Sequence, residues 1–270
     1  MPERPGAPRG DREVLIAVAH GSADPRAAAA ITDLMTIVAG RAASRGVAMP
    51  EARIAYLGHA APSLAQVMGA IGSDPCGQVT VLPLLLTAAY HSKTDIPRLL
   101  ARASGEFPRL RVGYGATLGP HHLLLRALES RLAEVDPLGA AGRACRARTG
   151  VVLAAAGSTD REANATIARL AARWQADAGW FAVRPAYASA ATPGAPAPAA
   201  AVTGLLRAGA RRVLVATYLL APGFFADRIR ESALAAGAAA VSPALGASAD
   251  VADVVLDRYE EAGSRRQTAA

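Results

Sequence analysis

Short apolar runs alternate with longer amphipathic segments along the chain. Each run has five to eight residues rich in Val, Leu and Ile, and a turn and then a helical pattern follow it. In the first part of the chain the runs predict strands at 14–19, 53–57, 79–86 and 111–115, and the segments after them predict helices at 26–43, 63–71, 94–103 and 120–135. Because such strands are buried on both faces, the pattern predicts an α/β fold with a parallel sheet.

Four blocks of sequence recur in the same order, roughly 130 residues apart. The paired blocks are 14–27 with 151–163, 52–71 with 183–202, 79–96 with 213–230 and 116–132 with 243–259. The repeat predicts two tandem halves, 12–135 and 150–261, each a small parallel sheet with helices on both faces. The segment 136–149, rich in Gly, Ala and Arg, is predicted to be the linker, and we expect the tail after Glu261 to be disordered.

Composition narrows the possible partners. With 270 residues, 52% of them hydrophobic, the chain can bury a core in each half. The net charge of +7 favours anionic partners. The arginines are scattered, Lys93 is the only lysine, and no basic cluster is interleaved with aromatics, so nucleic-acid binding is not expected. A polyanionic small molecule fits better.

The sequence shows no targeting or membrane signal. Its N-terminus lacks the apolar core of a signal peptide, and no uninterrupted apolar run is long enough to span a bilayer. We therefore expect a cytoplasmic protein that does not bind membranes. Cys76 and Cys145 lie far apart, which argues against a disulfide framework, a cysteine-rich zinc site and an iron–sulfur cluster.

All the histidines lie in the first half, and most of them follow a predicted strand. The five are His20, His59, His91, His121 and His122. Because the carboxyl ends of parallel strands meet at one edge of a sheet, where ligands bind, we expect several imidazoles at that edge. The matching positions of the second half hold Ala156, Ala190, Phe225 and Ser248.

His20 and His91 are the histidines whose sequence neighbours most favour a chemical role. His20 is followed by a Gly-Ser turn, and His91 is followed by Ser-Lys-Thr-Asp, in which Thr94 is predicted to cap the next helix. Imidazole nitrogen suits Fe²⁺, Co²⁺, Ni²⁺ and Zn²⁺, and it can accept a proton near neutral pH. A pair of imidazoles could therefore deliver a metal and take up the protons that it displaces. For His121 and His122, hydrogen bonding at a helix start is a sufficient explanation.

Four motifs of the first half are A-H-G-S-A-D-P-R-A at 19–27, A-Y-L-G-H-A-A-P-S-L at 55–64, a P-L-x-L-x-x-x-x-H-x-x-x-D-I-P pattern ending at 97, and L-G-P-H-H-L-L at 118–124. With Y-L-L-A-P-G-F-F-A-D-R-I at 218–229 in the second half, they resemble the class II tetrapyrrole chelatases, in particular the long two-half sirohydrochlorin chelatases. The resemblance implies two flavodoxin-like halves facing each other across a cleft. It also implies the polycarboxylate sirohydrochlorin as substrate, with His20 and His91 as metal ligands and proton acceptors.

The sequence departs from the family at one position. Where members often carry a glutamate after the second strand, Gly58 stands here and His59 follows it. Either His59 supplies a third ligand, or the site works with two imidazoles and water. Adjacent strand residues point to opposite faces, which counts against His59 unless the strand has already ended. Ser22, Arg26 and Lys93 are the candidates for contacts with the substrate.

The resemblance thus predicts a chelatase that inserts Fe²⁺ for sirohaem, with Co²⁺ insertion for cobalamin as the alternative. The divalent metal is a substrate, and no organic cofactor is expected. A second alternative is a non-catalytic metal or tetrapyrrole carrier. Phosphoryl transfer through His20 lacks the arginine expected beside that histidine. Because the repeat supplies both walls of a cleft, we expect a monomer that is an internal pseudo-dimer.

Overall fold

The computed structural model describes residues 12–73, 77–136, 142–189 and 196–269. Its strands are β1 (Glu13–Ala19), β2 (Glu51–Tyr56), β3 (Gln78–Pro83), β4 (Arg111–Tyr114), β5 (Thr149–Ala155), β6 (Ala182–Tyr187), β7 (Arg212–Tyr218) and β8 (Ala240–Val241). Its helices are α1 (Pro25–Arg45), α2 (Leu64–Gly72), α3 (Ile96–Glu106), α4 (His122–Val135), α5 (Arg143–Arg146), α6 (Arg161–Ala178), α7 (Pro198–Arg207), α8 (Phe224–Ala235) and α9 (Ala249–Ala269). Cys76 and Ala190 lie outside the described residues.

The strands form two four-stranded sheets with the same order, β2-β1-β3-β4 and β6-β5-β7-β8. All pairings are parallel. The predicted α/β class and its two tandem halves are therefore confirmed. The order 2-1-3 is that of flavodoxin-like sheets, in which the order of strand addition reverses between β1 and β3 and ligands bind beyond the carboxyl ends of those strands.

Both faces of each sheet are buried, as the continuously apolar strands predict. In β1, Leu15 and Ala17 face a core shared by the two halves, while Val14 and Ile16 face a separate outer core of the first half. The same alternation recurs in β5 and β7, whose outward residues build a third core. Because successive strand residues point to opposite faces, each strand serves two cores.

The shared core joins the halves into one body. Helices α1, α4, α6 and α9 contribute to it with the inner faces of both sheets, through side chains such as Leu34, Leu128 and Trp174. At its edge Arg41 on α1 donates two hydrogen bonds, of 2.6 and 2.7 Å, to the Asp253 carboxylate on α9. This bidentate geometry fixes the register of the two helices as well as their contact.

One expectation for the later part of the chain differs from the structure. The tail after Glu261 is not disordered over its described length, because α9 continues to Ala269. Ala262 is buried, and Ser264 and Arg265 bond back one turn, so local contacts extend a helix that the apolar pattern does not mark. The linker 136–149 contains the short α5, and its residues 137–141 lie outside the described part.

His121 has the hydrogen-bonding role at a helix start that its sequence position suggests. It is the N-cap of α4, and its Nδ1 accepts a hydrogen bond from the Leu123 backbone N–H at 3.3 Å. Its Nε2 lies 3.6 Å from an Asp257 carboxylate oxygen of α9. At the matching position Ser248 accepts from the Val251 N–H, so the two halves cap corresponding helices with different side chains.

We predict that His121→Ala lowers the free energy of unfolding by about 1 kcal/mol through loss of the cap, whereas His121→Asn keeps an acceptor and most of the stability.

Burial, then the charges of Arg258 and His122, lower the pKa of His121 in the folded state. The unfolded chain therefore binds the proton first as pH falls. The stability that His121 contributes is complete above about pH 6.5 and is lost as pH falls through the lower folded-state pKa.

Urea unfolding of the wild type and of His121→Asn, at about pH 8 and about pH 5, measures this effect. The wild type should lose more stability between the two pH values than the asparagine variant. An equal loss in both proteins would contradict the assignment.

Candidate functional site

A cleft of about 900 Å³ opens between the two halves. The loops that follow β1, β3, β5 and β7 line it, so it lies beyond the carboxyl ends of the central strands of both sheets. This is the switch-point position at which open α/β sheets bind ligands. Among the described residues that line it, the ionisable side chains are those of His20, His59, His91 and three tyrosines. Its walls are otherwise uncharged and largely apolar.

His20 follows β1 in a tightly packed turn. The next residue, Gly21, has φ +88°, and a Cβ there would lie 1.8 Å from the Gly58 carbonyl oxygen. Only glycine allows that approach. The Gly58 N–H in turn donates to the His20 carbonyl at 3.1 Å, so the β1–α1 and β2–α2 loops hold one another. The backbone of His20 is therefore fixed by the sheet and by the neighbouring loop.

His91 begins a π-helical turn, His91–Asp95, that leads into α3. This turn replaces the helix start predicted at residue 94, so Thr94 lies inside it and is not an N-cap. The turn is held by the Tyr114 hydroxyl, which donates to the Ser92 carbonyl at 2.8 Å. Such single π turns are frequent at functional sites because they re-aim a side chain within a helix.

The structure brings His20 and His91 together. Their ring centroids are 4.9 Å apart and the rings are nearly perpendicular, at 88°. His20 Nδ1 lies 3.1 Å from the Gly21 carbonyl oxygen, and His91 Nδ1 lies 2.7 Å from an Asp95 carboxylate oxygen. Because those oxygens accept, each Nδ1 carries the proton in the neutral ring, which leaves both Nε2 lone pairs available.

Asp95 is a candidate functional residue that sequence reasoning did not select. Its carboxylate orients the His91 ring through the contact with Nδ1, as carboxylates behind histidine ligands often do. The signal available in the sequence was the spacing of four residues, which places both side chains on one side of a helical turn.

His59 lines the same cleft, exposed on a turn after β2. The strand ends at Tyr56, and His59 has φ +59°, so strand alternation does not set its direction. Across the described ranges, however, no three His, Cys, Asp or Glu side chains lie close enough together to hold a metal ion. The arrangement as it stands therefore offers two close imidazoles, with His59 near them on the wall.

Of the three residues predicted to contact substrate, only Ser22 lines the cleft. Its hydroxyl oxygen accepts a hydrogen bond from the Asp24 N–H at 3.1 Å. Arg26 and Lys93 are not on the lining and are already paired. Lys93 Nζ lies 2.7 Å from an Asp160 carboxylate oxygen of the other half, and this hydrogen bond lowers the pKa of Asp160.

Arg26 also forms an ion pair between the halves. Its guanidinium donates hydrogen bonds to the carboxylate of Asp24, the N-cap of the same helix, and to an Asp227 carboxylate oxygen on α8 at 2.5 Å. Asp227 and Lys93 occupy matching positions in the repeat. Each of them contacts the segment that follows the first strand of the opposite half, Asp227 through Arg26 and Lys93 through Asp160. All these pairs are solvent-accessible, so each contributes little to stability.

The second wall of the cleft carries different chemistry. Ala156 stands where the first half has His20, and Phe225 stands where it has His91. Phe224 and Phe225 are both exposed on this wall, and sequence reasoning did not select them as functional. No helix in the described ranges has the length and apolarity that crossing a bilayer would require.

The chain is similar to known proteins both in sequence and in fold. The CbiX family model matches the chain twice, at residues 14–135 and 150–262. The sirohydrochlorin cobaltochelatase of Priestia megaterium is 25% identical over 63% of this chain and 54% of its own length. The sirohydrochlorin ferrochelatase of the same organism is 26% identical over 68% of this chain and 65% of its own, and that of Bacillus subtilis is 26% identical over 46% of each. The matches thus span about half to two thirds of these relatives.

Solved structures agree on the fold. SirB from Bacillus subtilis with Fe³⁺ superposes with a TM-score of 0.76 at 22% identity, over 95% of this chain and 98% of that one. The sirohydrochlorin chelatase SirB from Bacillus subtilis subspecies spizizenii in complex with cobalt gives 0.72 at 21% identity, over 95% and 97%. With both halves matched by one family model and the fold shared along almost its whole length, the chain belongs to the CbiX family.

Proposed function

We propose that this protein is a sirohydrochlorin chelatase, which inserts a divalent metal into the tetrapyrrole and releases two protons. The observation that carries the proposal is the His20–His91 pair, 4.9 Å apart at the switch point of the first sheet and open to the cleft. The names of the relatives, sirohydrochlorin ferrochelatases and a cobaltochelatase, support the same reaction.

In this mechanism the metal and the macrocycle are both substrates. The Nε2 atoms of His20 and His91 bind M²⁺, and imidazole without thiolate suits Fe²⁺ or Co²⁺ that must be passed on. As the metal moves to the pyrrole nitrogens, the two N–H bonds of the macrocycle break and two protons leave. The vacated imidazoles accept them, and Asp95 stabilises the imidazolium of His91. One M²⁺ replaces two H⁺, so the charge of the macrocycle does not change.

Fe²⁺ is the favoured metal and Co²⁺ the alternative, because an all-imidazole set does not separate them. We further propose that the protein needs no organic cofactor, works in the cytoplasm and acts as a monomer, with the 12–135 half carrying the metal site and the 150–261 half the opposing wall. The competing function is a carrier, which would bind the metal or the tetrapyrrole without turnover.

The substrate's carboxylates would meet the charged mouth of the cleft. Ser22 contacts the substrate from the lining, and Arg26 and Lys93 exchange their aspartate partners for substrate carboxylates. Such an exchange is feasible because these pairs are exposed and therefore weak. The net charge of +7 supports attraction of a polyanion.

We predict that His20→Ala and His91→Ala each lower the insertion rate by at least about 100-fold, because each removes a ligand and a proton acceptor. Asp95→Asn should cost about tenfold through weaker orientation of His91. An anaerobic absorbance assay with sirohydrochlorin and Fe²⁺, Co²⁺ or Ni²⁺ in parallel measures the rate and ranks the metals. His122→Ala, an exposed histidine outside the cleft lining, is the control.

A wild-type rate in either variant would remove that histidine from the mechanism. Stoichiometric binding by the wild-type protein without turnover would favour the carrier.

We predict that His59→Ala lowers the insertion rate about tenfold and that adding Gly58→Glu restores it. A Cβ at Gly58 meets no atom within 4 Å, so a side chain fits there and can offer a carboxylate in place of the imidazole. The same assay and Co²⁺ affinity measure the effect, with Gly58→Ala in the His59→Ala background as the control. If His59→Ala keeps the wild-type rate, the site works with two imidazoles and water.

We predict opposite effects from the two members of the Lys93–Asp160 pair. Lys93→Ala should raise KM about threefold by removing a carboxylate contact, while Asp160→Asn should leave KM unchanged or lower it by freeing Lys93. Asparagine keeps the N-cap that Asp160 provides to α6. Arg26→Ala and Asp227→Asn form the matching test. An equal rise of KM in both members of a pair would mean that the contact only joins the halves.

A further inference from the structure

Two adjacent phenylalanines are exposed on the second wall of the cleft. Phe224 is 69% exposed and Phe225 is 38% exposed, and their rings meet edge-on with centroids 5.6 Å apart. Three of the chain's four phenylalanines are exposed, and two of those three lie side by side on this wall. Exposed apolar side chains clustered in a cleft mark a binding surface.

The backbone fixes this pair against the loop that carries His20. Gly223, just before α8, has φ +146°, a conformation open to glycine alone. A Cβ on Gly223 would lie 3.6 Å from the Ser22 hydroxyl and 3.8 Å from the Asp24 Cβ of the first half. One turn later Asp227 pairs with Arg26. The start of α8 is therefore held at the mouth of the cleft by the opposite half.

In the repeat, the two phenylalanines correspond to residues of the wall that carries His20 and His91. Phe225 occupies the position of His91, and Phe224 that of Tyr90, which is 55% exposed with its ring 6.0 Å from that of His91. The wall formed by the first half therefore offers imidazole nitrogens, whereas the matching positions in the wall formed by the second half carry only hydrocarbon side chains. Among the described lining residues, charged carboxylate, ammonium and guanidinium groups are absent, so the interior suits the face of a planar conjugated ring and leaves its carboxylates at the mouth.

We propose that Phe224 and Phe225 form a platform that binds the π face of the macrocycle opposite the face that receives the metal from His20 and His91. This inference rests on the proposed function and adds positioning residues to it. Aromatic rings contact a π system favourably in offset or edge-on geometry, beyond the gain from buried area. The platform holds no proton and no metal, so it acts on binding and orientation only.

The test compares Phe224→Ala, Phe225→Ala and the double variant with aromatic replacements by tyrosine and apolar replacements by leucine. Binding of sirohydrochlorin without metal is followed by its fluorescence, KM and kcat by the insertion assay, and metal binding by Co²⁺ absorbance. We expect the double alanine variant to raise Kd and KM about tenfold, with kcat and Co²⁺ affinity within about twofold of wild type. Tyrosine should restore binding and leucine should restore it only in part.

Phe181→Ala is the matched control, because Phe181 is an exposed phenylalanine of the same half that does not line this cleft. It should leave every readout unchanged. The platform would be overturned if the double alanine variant kept the wild-type Kd and KM, or if it changed only the oligomeric state. The proposed function would still stand in that case if the wild-type protein inserted the metal. Binding without insertion by the wild type, weakened by the alanine variants, would overturn the chelatase and keep the platform.

Discussion

The packing of the two halves around one shared core is the constraint on which the site depends. Both sheets turn an inner face to it, and α1 and α9 lock across it through the bidentate Arg41–Asp253 pair. Separating the halves would expose that core to water, so the spacing of the cleft walls is set by the hydrophobic effect. The contacts at the mouth are of another kind, since Lys93–Asp160 and Arg26–Asp227 are exposed ion pairs. The two halves are therefore held together strongly by the core at the base of the cleft and only weakly by the ion pairs at its opening.

Within this frame, the geometry of the histidine pair comes from local devices. The approach of Gly21 to the Gly58 carbonyl fixes the loop of His20, and the π-helical turn aims His91. Hydrogen bonds from each Nδ1 then hold both rings with Nε2 free. These devices are hydrogen bonds and a close backbone approach in the loops beyond the strand ends, so they position the two imidazoles without drawing on the hydrophobic cores.

Much of this architecture is encoded locally and could be predicted. Apolar runs and the internal repeat indicate the parallel strands and the two halves, and the rule that strand ends meet at one edge brings His20 and His91 together. Contacts between distant segments could not be predicted. The pairing of Arg26 and Lys93 with aspartates of the other half depends on how the halves dock. The contact of His121 with Asp257 on α9 depends on that docking in the same way, and α9 extends beyond its apolar pattern through local helical contacts.

The repeat preserved the fold of the two halves and let their walls diverge. Ala156 and Phe225 stand in the second half where His20 and His91 stand in the first. Two identical halves would present a histidine pair on each wall, so the two sides of the cleft would be equivalent. With His20 and His91 on one wall and Ala156 and Phe225 at the matching positions of the other, a molecule held between the walls would meet imidazole nitrogens on one of its faces only. Divergence of the two halves thus makes the sides of the cleft different, which two identical halves related by symmetry could not do.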